Sequence, residues 1–311
     1  MRNPFGSRRA RLATETLAGV YLVLMSTGCA YNYMAQRAMD REVTRLPRDA
    51  DTLVIKGAEA VTLPGSGPNA ALLVHGFVAS RTDFNDLGAI LQETGLTVRM
   101  MRLPGHATFP VDHANTTNDQ FLDAVRREYL ALKIHHPKVA LIGFSMGGAL
   151  STLIASEEKV DRLVLIAPYY GVSHRWYYIL PAEAWNTLSS WAIPYVMKNR
   201  VFTCVNREEA KDKLYAYRVI STKGAGELIR LGKLARDPER LGRVRCPVLM
   251  LHSRGDRAAS PKRAEQAFEA LGSADKRVKW YQESNHHLLW DYEMEDVKRE
   301  IVSFLEPIIK E

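Results

Sequence analysis

The sequence predicts an α/β fold: a mostly parallel central sheet flanked by helices, with a helical cap inserted late in the chain. Three observations lead there. Short apolar runs alternate with amphipathic stretches from residue 70 to 171, and again from 246 to 309. One of those runs ends in Gly143-Phe144-Ser145-Met146-Gly147 and opens directly into a helical pattern. Between the two alternating parts, residues 172–234 lose the rhythm and carry only helical patterning.

Length and charge bound the possibilities. A chain of 311 residues with 46% hydrophobic content has ample core for one large domain with an insertion, or for two small domains. Cys29, Cys204 and Cys246 form neither a disulfide framework nor a metal-ligand spacing. The net charge of +7 is uneven: residues 1–48 hold eight Arg against Glu15, Asp40 and Glu42, leaving the remainder at +2. A near-neutral globular part lacks the basic face that nucleic acid requires, so nucleic-acid binding is not expected.

The first fifty residues read as targeting and tether. Arg2, Arg8, Arg9 and Arg11 precede an apolar run over 17–25, the length of a signal-peptide core and short of the ~20 apolar residues a membrane span needs. Ser26-Thr27-Gly28-Cys29-Ala30 resembles a bacterial lipobox, with Ser26 where Leu is usual, and Ser7-Arg8-Arg9 more faintly resembles a twin-arginine signal. Residues 1–29 are therefore expected to be a signal peptide or anchor that attaches the protein to a bacterial envelope membrane, as a lipoprotein acylated at Cys29. An uncleaved anchor and a buried N-terminal helix are the alternatives. Residues 30–50 read as a polar tether or surface helix.

The core is expected over 51–171 and 235–311, with the cap over 172–234. Thr52–Ile55 and Ala60–Leu63 read as short strands, forming a hairpin around Lys56-Gly57. Ala70–Val74 is wholly apolar, as a buried strand should be, and leads into His75-Gly76-Phe77. Thr82–Thr94 patterns as a helix, Thr97–Arg102 as a strand, and Leu103-Pro104-Gly105-His106-Ala107 as the following loop. Asn118–His135 is a helix, Val139–Ile142 a strand, and Val160–Ile166 another. In the cap, Arg207–Ile220 and Ala225–Leu234 read as helices, and Trp176, Tyr178 and Trp185 are candidates to line an acyl pocket. Cys246–His252 and Arg277–Tyr281 are strands; Pro261–Leu271 and Glu293–Ile309 are helices.

Chemistry-bearing residues fall at the ends of these strands. Strand, sharp turn with serine at its apex, then helix is the nucleophile elbow of an α/β-hydrolase. The glycines let the turn close, and the helix start gives the Met146 N–H as one donor for a developing oxyanion. The loop after Ala70–Val74 supplies the second donor, the Phe77 N–H. Asp256 follows the next strand after the cap, and His286 and His287 follow the last one, completing the order Ser145, Asp256, His. Periodicity does not choose between the two histidines. Asp291 is an alternative acid, disfavoured because it follows the histidines. His75 reads as a buried structural residue and His106 as a support to the site.

Residues 68–308 resemble the bacterial carboxylesterase and monoacylglycerol lipase group of α/β-hydrolases. The matches are His75-Gly76-Phe77, Leu103-Pro104-Gly105-His106, Gly143 to Gly148, Gly255-Asp256 and Ser284-Asn285-His286. The resemblance selects His286 over His287. It implies a Ser145–His286–Asp256 triad, hydrolysis of short- to medium-chain acyl esters or monoacylglycerols, and no metal or organic cofactor. An acyltransferase or thioesterase using the same triad, and a non-catalytic lipid-binding protein, are the alternatives. Two positions depart from the group: Asn285 stands where glycine is usual, and so does Ala107. Both are expected to alter loop backbone and substrate fit more than chemistry.

Overall fold

A computed structural model describes residue 26 and residues 28–173, 184, 186–187, 190, 192–197 and 204–310. Among the described residues, seven strands form one sheet in the order β1 (Val61–Leu63), β3 (Thr97–Met100), β2 (Ala70–Val74), β4 (Val139–Phe144), β5 (Arg162–Ile166), β8 (Val248–Ser253), β9 (Lys276–Tyr281). Only β1 runs antiparallel to its neighbour. This is the α/β sheet the alternation predicts.

The period of two along each strand divides the core between the faces. Leu72, Val74, Leu141, Leu163 and Met250 point to one side. Leu73, Ile142, Val164, Ile166 and Leu251 point to the other. The first face is covered by α4 (Asn118–His135), α5 (Met146–Glu157), α6 (Thr222–Ala235) and α8 (Pro261–Ala270); the second by α2 (Leu87–Glu93) and α9 (Met294–Ile309). Both faces being covered is why the strands read as unbroken apolar runs. The short helices α3 (Pro110–Ala114) and α7 (Pro238–Arg243) precede α4 and α8. Helix α4 starts where the sequence says it should, because Thr117 and Gln120 form a reciprocal cap.

Three expectations fail locally. Thr52–Ile55 is not a strand: Leu53 takes φ 59°, its N–H and that of Thr52 are held by Asp49, and Ile55 makes only an isolated bridge to Arg48. β1 therefore pairs with β3 and not within a hairpin. The helix expected over 82–94 is split, because Asn85 takes φ 51° and ends a 3₁₀ turn at Arg81–Phe84 before α2 begins. Residues 207–220, expected as helix, form a 3₁₀ turn at Glu208–Ala210 and then β7 (Val219–Ser221). β7 pairs antiparallel with β6 (Tyr195–Met197), so the insertion has a small sheet as well as helix.

Residues 28–45 form a helix, α1, docked on that insertion. The Asn32 side chain donates to Ala192 O at 3.0 Å, and the Met197 N–H donates to the Tyr31 hydroxyl at 3.2 Å. Arg45 donates to Ala216 O at 3.2 Å, and Arg48 to Thr108 O at 3.0 Å. Cys29 is exposed in α1. Residues 1–25, including the apolar run and the paired arginines, lie outside the described residues. Among the described residues no helix is long and apolar enough to cross a membrane.

Candidate active site

Ser145 sits between β4 and α5 with φ 54° and ψ −116°, a backbone region that non-glycine residues rarely occupy. Its neighbours explain how the strain is held. A Cβ on Gly147 would lie 1.9 Å from Val74 O, and one on Gly143 would lie 2.4 Å from Gly147 O. The Ser145 N–H donates to Ile166 O at 2.9 Å, and Ser145 O accepts from Ala149 N and Tyr169 N. The serine is only 7% exposed. Because Met146 begins α5, its N–H is one of the four that an α-helix leaves without an internal partner.

Phe77 lies at the end of the adjacent strand, with Val74 of β2 in register with Gly143 of β4. Its loop is tied down by Asp83, whose Oδ2 accepts the Gly76 N–H at 2.9 Å, and turned by Val78 at φ 53°. The loop thus brings the Phe77 backbone to the same edge of the sheet as the start of α5.

His286 lies between an acid and the serine. Its Nε2 is 2.9 Å from Ser145 Oγ, and its Nδ1 is 2.7 Å from Asp256 Oδ2. The other carboxylate oxygen, Asp256 Oδ1, accepts the N–H groups of Ala258 at 2.7 Å and Ala259 at 2.9 Å. Burial alone would raise the Asp256 pKa, but the adjacent His286 and these donors hold it below the ordinary carboxylate value. The carboxylate therefore stays ionised and fixes the proton on Nδ1, which leaves Nε2 as an acceptor facing the serine hydroxyl. A serine so placed can be deprotonated as it attacks a carbonyl carbon.

The competing candidates are employed elsewhere. His287 turns towards Asp83, with Nδ1 3.9 Å from Asp83 Oδ1. Asp291 faces backbone: its oxygens accept the N–H groups of Asn285, Asn206, Arg207 and Tyr292, at 2.7 to 3.1 Å. It organises the loop below His286 and does not reach an imidazole. His75 has both ring nitrogens engaged, Nδ1 donating to Gly76 O at 2.9 Å and Nε2 accepting the Leu103 N–H at 3.1 Å.

His75, His106 and His113 form a buried cluster behind Phe77. The His75 and His106 rings are 5.0 Å apart, His106 and His113 4.8 Å, and Phe77 and His113 4.8 Å. Burial pushes His75 and His113 down to about 4 and His106 well below its ordinary value, so all three are neutral at neutral pH. The sequence did not announce His113; its role follows from packing alone. Ala107 keeps the left-handed backbone that its usual glycine would favour, at φ 58°.

Trp176, Tyr178 and Trp185 lie outside the described residues. Among the described residues no group of three His, Cys, Asp or Glu side chains is placed to hold a metal ion.

Comparison with known proteins agrees with this geometry. The family profile described as serine aminopeptidase, S33 matches residues 68–293. A thermostable monoacylglycerol lipase from Bacillus sp. (strain H-257) is 28% identical over 240 residues, covering 77% of this chain and 91% of that protein. A carboxylesterase from Bacillus subtilis (strain 168) is 23% identical over 244 residues, covering 78% and 94%. Among solved structures, a metagenome-derived lipolytic enzyme superimposes with a TM-score of 0.73 at 25% identity, over 82% of this chain and 99% of that one. The monoacylglycerol lipase of Paleococcus ferrophilus shares the fold with a TM-score of 0.66 at 20% identity, over 79% and 97%.

Proposed function

The chain belongs to the serine aminopeptidase S33 family of α/β-hydrolases and is a serine hydrolase, and from that premise we propose that it cleaves short- to medium-chain carboxylic esters or monoacylglycerols through an acyl-enzyme. The observation that carries the reading is the continuous relay from Asp256 through His286 to Ser145, at 2.7 and 2.9 Å, with the serine at a strained elbow. Ser145 Oγ attacks the ester carbonyl while His286 Nε2 takes its proton. The N–H groups of Phe77 and Met146 receive the oxyanion, each donor contributing about 3 kcal/mol to the transition state. His286 returns the proton to the departing alcohol, and the acyl-Ser145 ester is then hydrolysed by a water that His286 deprotonates. The names of the relatives support an acyl ester over a peptide as substrate.

Attachment to an envelope membrane through acylated Cys29 is part of the same proposal. It is supported by the lipobox-like run and by the exposure of Cys29.

A p-nitrophenyl ester chain-length series on the wild type and Ser145→Ala tests the activity. Hydrolysis that peaks at short or medium chains and vanishes in the variant is expected; no hydrolysis and no fluorophosphonate labelling of the wild type would refute it. For the anchor, Cys29→Ser should block acylation and signal cleavage at that site, and unchanged processing and membrane attachment would remove the lipoprotein reading.

A further inference from the structure

Asn285, one of the two departures from the resembled group's pattern, has its side chain built into the site. The residue is 2% exposed. Its Oδ1 accepts two backbone N–H groups, that of His286 at 2.9 Å and that of Arg257 at 3.0 Å. Both partners are donors, so the amide has only one sensible orientation, with the oxygen towards the loops. The Nδ2 then faces the insertion and donates to Asn206 Oδ1 at 3.1 Å. Asn206 in turn donates to Glu283 O at 2.7 Å. Beneath them, Asp291 accepts the N–H groups of both Asn285 and Asn206, at 2.7 and 2.8 Å.

The three side-chain bonds of Asn285 therefore end on three different segments. One is the N–H of the proposed base, one is the residue after the proposed acid, and one is the chain returning from the insertion. A glycine at this position makes none of them. We propose that Asn285 is a positioning residue, which clamps the His286 loop to the Asp256 loop and, through Asn206, ties both to residues 204–207. The seat of the insertion then governs how well the imidazole is aligned between Asp256 and Ser145. Asn285 acts through His286 and touches no reacting atom. The inference rests on the reading of Ser145, His286 and Asp256 as a catalytic relay.

The test compares wild type with Asn285→Gly, Asn285→Ala and Asn206→Ala. Both Asn285 variants remove all three side-chain bonds, and Asn206→Ala leaves the bonds to His286 and Arg257 in place, so it separates the link to the insertion from the clamp between the two loops. The readouts are kcat and KM for p-nitrophenyl butyrate, the pH profile, the rate of fluorophosphonate labelling and the melting temperature. Both Asn285 variants should lose about 10- to 100-fold in kcat and in labelling rate with KM changed less than about threefold, because misplacement of a base by a fraction of an ångström acts on the transition state. The acid limb of the pH profile should move to lower pH, since a carboxylate less well placed stabilises the imidazolium less. Asn206→Ala should show the same pattern at smaller amplitude. If kcat, labelling rate and acid limb of all folded variants stay within about twofold of wild type while only the melting temperature falls, Asn285 is merely structural and the proposal is overturned. A wild type that is neither active nor labelled removes the hydrolase reading itself, a different failure.

Discussion

Gly147→Ala offers the sharpest test of how the elbow is built. The added methyl carbon would lie 1.9 Å from Val74 O, 2.6 Å from Val74 C and 2.7 Å from His75 O. An ordinary contact needs about 3.5 Å, so backbone must separate by roughly 1.6 Å. None of the three atoms can rotate away, because Val74 is paired in the middle of the sheet and His75 is held by Gly76 O and Leu103 N. The displacement therefore falls between the end of β2 and the start of α5. Those two segments carry the proposed oxyanion donors, Phe77 and Met146, whose useful window is only about 2.7–3.1 Å from the oxyanion. Loss of one donor's geometry predicts kcat lower by about 10²- to 10³-fold. Overpacking adds a stability loss of roughly 1–3 kcal/mol. The assay is p-nitrophenyl butyrate hydrolysis alongside urea denaturation. Gly242→Ala is the control: its Cβ would meet nothing within 4 Å, and it lies in α7 (Pro238–Arg243). It should stabilise by about 0.5–1 kcal/mol with kcat unchanged. A Gly147→Ala enzyme with wild-type kcat and wild-type urea midpoint would show that the close approach does not hold the elbow.

Ser145→Ala should lower kcat by about 10⁴-fold or more and abolish fluorophosphonate labelling; retained labelling would place the nucleophile elsewhere. His286→Ala should lose a comparable factor, whereas His287→Ala should keep kcat within about tenfold, and the reverse order in the same ester assay would reassign the base. Stability should fall in mild acid. His75 and His113 are depressed to about 4 by burial, while the unfolded chain protonates imidazole near 6.5, so protons favour unfolding as pH drops from about 6.5 towards 4. Each ring adds a slope of up to ~1.4 kcal/mol per pH unit, and His113→Phe should flatten the dependence. Asp256 has a depressed pKa, so its contribution is lost only at still lower pH, as the pH falls through its folded value. A urea midpoint that does not change between pH 8 and pH 5 would contradict the neutral cluster.

The parts of the molecule that the sequence makes legible are those fixed by period and by backbone. The doubly covered sheet appears as apolar runs, and its strands lie within two residues of where those runs predict them. The Gly143–Gly147 turn is legible because the backbone there tolerates only certain residues. The misreadings have a common cause. Asn85 and Leu53 take left-handed angles that interrupt a helical or extended pattern, and no periodicity signals such a residue. Residues 207–220 are amphipathic enough to read as helix, yet β7 forms there because β6 offers it a partner 24 residues upstream, from Tyr195 to Val219. Residues 30–50 read equally as a tether or a surface helix, because the contacts of α1 with Ala192, Met197 and Ala216 lie 160 or more residues away in the chain.

The same contrast runs through the active site. Ser145 is held by backbone: its own N–H and C=O are paired, and glycines leave no slack around it. That backbone strain, of order 1–3 kcal/mol, is sustained by the close packing of β2, β4 and α5. His286 has no such lock. β9 ends at Tyr281, and the segment from 282 to 287 is irregular, hung on side chains. Glu293 accepts the N–H groups of Gln282, Glu283 and Ser284; Asp291 accepts that of Asn285; Asn285 accepts that of His286. The candidate nucleophile is fixed by backbone, which its glycine-bracketed pentapeptide announces, whereas the proposed base hangs on scattered side chains, of which only Ser284-Asn285-His286 forms a legible motif. The proposed base is accordingly the softer half of the pair. Substitutions along Asn206, Asn285, Asp291 and Glu293 should act on the proposed proton transfer and leave the elbow intact. The proposed link from the insertion to the imidazole runs through Asn206 and Asn285 to the histidine loop.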